Sequence, residues 1–265
     1  MKQSPHKYLK DGHIHTPYCP HGTDDSFEEY VQKAIQVGLD EISFTEHFPL
    51  PERFEDPAPA KDSSIEADKM ESYINDVKKI KEKYKDQIKI NIGAEVDYIE
   101  GFEEEIKNNL NKYGEYLEDS ILSVHMIKIE DKYYCMDFSC EEFEKIVNLL
   151  SSVESVYNLY YETLIKAINS DLGKYKPKRI GHLNLVRKYN KKFPYDYSNN
   201  KKLKELVKLI SDRGYELDYN IAGLFKEDCG ETYISGYLAE LIKQYNIKLV
   251  LGSDSHSAKY IDKYE

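Results

Sequence analysis

Seven short runs with β character, each followed by a stretch of helical periodicity, constrain this chain more than any other feature. The runs are YLKDGHIH (8–15), EISFTEH (41–47), IKINIGAE (88–95), SILSVH (120–125), RIGH (179–182), YELDYN (215–220) and KLVLGSDSH (248–256). Between the first two, Phe27, Tyr30, Val31, Ala34 and Ile35 repeat at helical spacing, and Gly38 follows as a stop. Ser63 and Glu66 form a candidate capping box ahead of a helix face marked by Met70, Tyr73, Ile74, Val77, Ile80 and Tyr84. Further helical stretches are expected over 102–113, 141–169, 199–212 and 232–245. Such repetition implies parallel strands joined by helical crossovers, hence an α/β fold. No repeat, linker or composition break divides the chain, so residues 1–265 read as one domain. Two connections are long, 48–63 with four prolines and 126–140; both read as loops, either lids or surface insertions.

Composition narrows the class. With 40% hydrophobic and 32% charged residues, the 265-residue chain can bury a real core and remain solvated outside. No apolar run is long enough to span a membrane, and the N-terminus lacks a secretory apolar region. Cys19, Cys135, Cys140 and Cys229 show no CxxC spacing, which together with the missing signal points to a reducing cytoplasm. A net charge of −11 argues against a nucleic-acid partner. The exception is the basic run over 173–195, which contains Lys174, Lys176, Lys178, Arg179, Arg187, Lys188, Lys191 and Lys192 without an acidic residue.

The chemistry lies at the C-terminal ends of the runs. His13 and His15 end the first, Glu46 and His47 the second, and Glu95 the third. His125, His182, and the Asp254 and His256 pair end the fourth, fifth and seventh. In parallel strands these ends share one side of the sheet, which in a (β/α) barrel is where active sites are built. His13 and His15, two apart on a strand, face the same way. His21 follows in TPYCPHG, where a turn can return it to the same cavity. Neutral imidazoles packed with carboxylates suit a divalent cation, and nitrogen and oxygen donors fit Zn, Mn or Fe. Nine donors, His13, His15, His21, His47, Glu95, His125, His182, Asp254 and His256, exceed the needs of one tetrahedral ion. A hydrolytic site holding more than one metal is therefore expected.

The ordered strings DGHIHTPYCPHG, TEHFP, GAEVDY, SVH, GHLN and GSDSH span residues 11–256. In this order they resemble the PHP (polymerase and histidinol phosphatase) superfamily, and within it the histidinol-phosphatase branch. The resemblance implies a distorted seven-stranded (β/α)7 TIM-like barrel and a trinuclear metal centre. Carried over by position, the first ion takes His13, His15, Glu95 and Asp254. The second takes Glu95, His125 and His182, and the third His21, His47 and His256. The implied reaction is hydrolysis of L-histidinol phosphate to L-histidinol and phosphate, by a hydroxide bridging the ions. Glu95, Asp254 and His256 are expected to carry the catalysis, with His256 or a water protonating the leaving alkoxide. Arg187, Lys226 and Asn220 are the expected substrate contacts, a guanidinium being suited to bidentate grip on phosphate. Glu46, Asp97 or an acidic lid residue would meet the imidazole and ammonium of the substrate. Glu46 and Asp11 are also candidates to orient ligand imidazoles from outside. Cys19 reads as a small packing residue and His6 as surface.

Two alternatives stand beside this reading. One is a phosphoesterase or exonuclease of the same superfamily acting on nucleic acid or another small phosphomonoester, supported by the basic run at 173–195. The other is a non-enzymatic metal-binding protein, against which stands the retention of every expected ligand. Only nine residues follow His256, so the helix expected after the last strand is short, or the native chain continues past Glu265.

Overall fold

The computed structural model describes residues 9–261; the expectation for His6 lies outside them. Seven strands form one sheet: β1 (Lys10–Ile14), β2 (Glu41–His47), β3 (Lys89–Asp97), β4 (Ile121–Ser123), β7 (Arg179–Ile180), β8 (Glu216–Asn220) and β9 (Leu249–Gly252). They lie side by side in that order, each pair parallel. The first and last strands meet: Ile14 bridges Ser255, His15 N donates to Ser255 O (3.0 Å) and Asp254 N to His13 O (2.8 Å). The sheet thus closes into a TIM-like barrel.

Helices α1 (Phe27–Gln36), α2 (Met70–Tyr84), α3 (Glu103–Tyr113), α4 (Cys140–Leu150), α5 (Val153–Asn169), α6 (Lys201–Asp212) and α7 (Gly236–Gln244) cover the outside. Each turns an apolar stripe inward; α5 buries Val156, Tyr157, Tyr160, Tyr161 and Leu164 in the continuous core. Burying side chains of this size stabilises by about 1.5–3 kcal/mol apiece, which fixes the barrel on which the strand-end groups are mounted.

Three local expectations are corrected. The helical stretch 141–169 is two helices, because Ser151 takes a left-handed conformation (φ 66°) and the Ser152 hydroxyl accepts from Ser155 N to start α5. Segment 126–140 is not a plain loop: β5 (Met126–Ile129) and β6 (Lys132–Cys135) pair as an antiparallel hairpin, with Glu130 left-handed in its turn. The Ser63–Glu66 box does not form. Ser63 instead gives its hydroxyl (3.0 Å) and backbone N–H (3.1 Å) to Asp56, which also accepts from Ala58 N, pinning the proline-rich loop. The helix start signal that does operate is Ser26 with Glu29 at α1, while Gly38 (φ 83°) lies just beyond its end as expected. After β9 a short 3-10 turn, Ala258–Tyr260, follows.

Candidate metal centre

Glu95, at the C-terminal end of β3 and almost fully buried, is the hub. Its Oε1 lies 2.8 Å from His182 Nε2 and 3.8 Å from His125 Nε2. Its Oε2 lies 3.4 Å from His13 Nε2, 3.5 Å from His15 Nε2 and 3.3 Å from His47 Nδ1. Ser123 of β4 fixes the carboxylate by donating to Oε1 (2.6 Å). Asp254 Oδ1 sits 3.1 Å from His15 Nε2 and 3.7 Å from His13 Nε2. His21 and His256 bring their Nε2 atoms to 3.2 Å, and the His21 and His47 ring centroids are 5.1 Å apart. All nine expected donors therefore converge.

Partners behind the rings decide which nitrogen faces the centre. His13 Nδ1 bonds Asp218 (2.7 Å), His125 Nδ1 bonds Asp97 (2.7 Å) and His15 Nδ1 meets Glu46 at 3.4 Å. His21 Nδ1 faces the Asp62 carbonyl (2.9 Å) and His256 Nδ1 the Asp254 carbonyl (3.1 Å). A carbonyl only accepts, so both of those Nδ1 atoms carry hydrogen and the two facing Nε2 atoms carry lone pairs. Two lone pairs at 3.2 Å repel unless a proton or a cation lies between them. Buried His13 Nε2 and both nitrogens of His47 have no hydrogen-bond partner. Orphaned acceptors beside ionised carboxylates are what a divalent cation satisfies, so the residues fit metal ions.

The electrostatics agree. Burial alone would raise Glu95 and Asp254, but the surrounding imidazoles, His13 foremost, hold both well below the carboxylate range. Burial alone would lower His13, yet Asp254, Glu95 and Asp218 keep it well above its ordinary value. His125 is drawn up to about 10 against burial by Asp97 and Glu95, whereas burial and His15 push His47 well down. The donor side chains of the cluster carry no fixed positive charge of their own, a deficit that bound cations would fill.

Backbone geometry aims Asp254 into the barrel mouth. It adopts φ 54°, a left-handed conformation uncommon for a residue with a side chain. Two residues earlier Gly252 leaves room for the His13–Asp218 pair; a Cβ there would stand 2.0 Å from Asp218 Oδ1 and 2.8 Å from His13 Cβ. Asp11, the other candidate to orient an imidazole, is engaged with backbone and a serine hydroxyl. Its carboxylate accepts from His13 N (3.0 Å) and from Ser253 N (3.1 Å) and Oγ, tying β1 to the residue after β9.

A cavity of about 540 Å³ opens above the cluster, a size suited to a small ligand. The expected substrate contacts divide. Lys226 lines the cavity from an exposed position. Asn220 is fully buried and its amide is engaged within the protein: its Nδ2 donates to Asp218 and Asp254 (both 3.1 Å) and its Oδ1 accepts from Ala222 N. Arg187 points elsewhere, bonding Glu231 and stacking 4.5 Å over Tyr197. Its neighbour Lys188 is the one in the cavity wall, held by Asp137 (2.9 Å). Asp97, also in the wall, is taken up by His125. Asp218, Asp137 and Lys188 were missed; Asp218, two before Asn220 on β8, shares its face, and that period was the available signal.

The basic run is dispersed rather than a patch. Lys176 buries its ammonium among the carbonyls of Ala167, Ile168 and Ser170 (2.7 Å each). Arg179 pairs with Asp119 and Lys192 with Asp228. Cys19, expected to pack, faces ring nitrogens: its Sγ and the donor atoms of His15, His47 and His256 all lie within 4.8 Å of one another. Burial would raise its thiol, but hydrogen bonds with His15, His21 and His256 bring it down to about 5.

No helix among the described residues is long and apolar enough to cross a membrane. The PHP domain family matches residues 11–222. The chain is 44% identical over 253 residues to the histidinol-phosphatase of Bacillus subtilis, covering 94% of each. Its fold superposes on a candidate histidinol phosphatase from Listeria monocytogenes with a TM-score of 0.92 at 37% identity, over 96% of this chain and 98% of that one. It also matches the Lactococcus lactis histidinol phosphate phosphatase solved with zinc, L-histidinol and phosphate, with a TM-score of 0.71 at 25% identity over 96% and 89% of the two chains. Motifs, barrel and relatives agree: this chain belongs to the PHP-domain family, in its histidinol-phosphatase branch.

Proposed function

We infer that this chain is a metal-dependent phosphomonoesterase that hydrolyses L-histidinol phosphate to L-histidinol and phosphate, a step of histidine biosynthesis. The observation that carries the reading is the convergence of seven imidazoles and the Asp254 carboxylate around and beside Glu95 at the floor of an open cavity. The Bacillus subtilis relative bears that activity by name, and the Lactococcus lactis relative holds zinc with the two products.

We read the site as trinuclear, with His13, His15, Glu95 and Asp254 at the first ion, Glu95, His125 and His182 at the second, and His21, His47 and His256 at the third. Two of these groupings recur among the donor atoms, as His13, His15 and Asp254 and as Glu95, His125 and His182. Bound divalent ions supply Lewis acidity toward the phosphoryl oxygens and lower the pKa of water. Lys188 and Lys226 add positive charge to the wall where the phosphate enters. Lys188 replaces Arg187 as the phosphate contact in this reading. His256, whose Nδ1 hydrogen is committed to Asp254 O, acts through its Nε2 lone pair and leaves protonation of the alkoxide to water. The reading takes residues 1–265 as one catalytic domain, and the four free cysteines support a reducing cytoplasm.

Phosphate release from L-histidinol phosphate, beside an aryl phosphate and an oligonucleotide, with metal-loaded and chelated enzyme, tests the reading. Turnover of histidinol phosphate alone, abolished by the chelator, is expected. Preference for the oligonucleotide would move the same centre to nucleic-acid processing.

A further inference from the structure

We propose that Cys19 is a ligand of the third ion, adding a thiolate to the imidazoles of His21, His47 and His256. The inference rests on the metal-centre reading above and deepens it by giving one of three ions a sulfur donor.

The loop between β1 and α1 is built to deliver this side chain. Cys19 N donates to Thr16 O (3.0 Å) and Gly22 N to Cys19 O (3.1 Å), so two successive turns fold the segment back on itself. Thr23 N then donates to His256 O (3.1 Å), fastening the loop to the segment after β9 that carries His256. Gly22 permits the tight return, since a Cβ there would stand 3.1 Å from Cys19 Cβ. The result is a thiol only 6% exposed whose Sγ shares a 4.8 Å neighbourhood with donor atoms of His15, His47 and His256.

His47 supplies an independent sign that a ligand belongs here. It is 7% exposed, neither ring nitrogen has a hydrogen-bond partner, and one of them falls in the same neighbourhood as Sγ. A cysteine that only filled space would lie against hydrocarbon; this one lies among imidazole nitrogens. Cys135, the cysteine that lines the cavity, has different company, its Sγ meeting Asp137 Oδ1 at 3.5 Å.

Coordination breaks the S–H bond and forms a sulfur–metal bond; the proton leaves to water and no electron changes hands. Three imidazoles and one thiolate make a softer set than His13, His15, Glu95 and Asp254. The third position should therefore prefer zinc to manganese, while the first can accept either.

Cobalt(II) loading of the whole protein reads this directly. The expected result is an intense near-ultraviolet sulfur-to-cobalt charge-transfer band that is lost in Cys19→Ser and retained in Cys135→Ser, with the visible d–d bands present in all three proteins. If Cys19→Ser does not fold, zinc-edge X-ray absorption on the unmodified protein decides instead: one sulfur scatterer at about 2.3 Å supports the proposal. Three bound ions with only nitrogen and oxygen neighbours would overturn the thiolate and leave the trinuclear reading intact. A protein that retains no metal would overturn both.

Discussion

At the N-terminal end of the barrel, Arg179 crosses the interior to the Gly12 carbonyl (2.8 Å) and to Asp119 (3.1 Å). Lys10 joins Glu41 (2.9 Å) to Asp119 (2.7 Å), and Asn91 donates to Glu41 (2.7 Å). Gly12 is part of this arrangement, because a Cβ would stand 2.8 Å from the guanidinium. The C-terminal end gathers buried Glu95, half-buried Asp254 and their imidazoles. The difference is closure. Below, Glu41 and Asp119 each have a permanent cation from the chain itself, while above, Glu95 and Asp254 face imidazoles, and Lys188 in the cavity wall is taken up by Asp137. Two ends of one barrel, both polar and both buried, are thereby told apart by charge balance: the lower end is a fastening, the upper a receptacle.

That contrast predicts where mutations act. The largest expected effect is Glu95→Gln, which removes the negative charge facing five imidazoles. Turnover of histidinol phosphate should fall to background and metal content should drop, with little change in the unfolding midpoint of the metal-free protein. Unchanged turnover would remove Glu95 from the hub. Next comes the opposite end. Arg179→Met leaves Asp119 without its buried partner and should cost about 3 kcal/mol in denaturant unfolding, with kcat/KM of the folded fraction preserved. Lost activity at full stability would break the division between the two ends.

Asp218→Asn should act on the upper end at one remove. Asp218 holds His13 Nδ1 at 2.7 Å, and losing such an outer carboxylate typically lowers metal affinity about 10–100-fold. Competition with a chelator measures this, and an affinity equal to wild type would show that Gly252 and backbone packing alone fix the ring.

Much of the upper end was legible because it rests on period and order. Strand-final histidines and acids fall on one side of any parallel barrel, so all nine donors could be named without distances. Residues behind them were harder. Asp11 and Glu46 looked equivalent in sequence, yet Glu46 meets an imidazole and Asp11 meets backbone N–H groups, a difference set by strand register. Arg187 and Lys188 are neighbours in a 3-10 turn and its cap, where one position of rotation decides which side chain sees the cavity. The hairpin at 126–135 was hidden because its charged residues break the apolar alternation by which strands are recognised. Cys19 reads in sequence as a small hydrophobe, and its imidazole neighbours appear only in the structure.

A smaller effect separates the ends by pH. Burial opposes ionisation of Asp119, but Arg179 and Lys10 hold its folded-state pKa below the ordinary 3.8. The unfolded state therefore binds the proton more readily. The contribution of this network is complete above the unfolded value and is lost as pH falls through the lowered folded one. Acid unfolding of the metal-free protein should be less steep below about pH 4 in Asp119→Asn than in wild type. Superimposable acid limbs would show that the lower network carries no net charge-dependent stability.

The smallest effect should be Arg187→Ala, and its value lies in the contrast with the next residue. Arg187 is spent on Glu231 and the face of Tyr197, whereas Lys188 stands in the cavity wall beside Asp137. Both residues carry positive charge, so a general attraction for a phosphorylated substrate would be weakened alike by losing either. Direct contact would not. Lys188→Gln should raise KM for histidinol phosphate while Arg187→Ala leaves it unchanged, and loss of contact only in the transition state would appear as a fall in kcat of Lys188→Gln as well. Equal rises in KM for the two variants would mean that the wall acts through its summed field rather than through a placed ammonium.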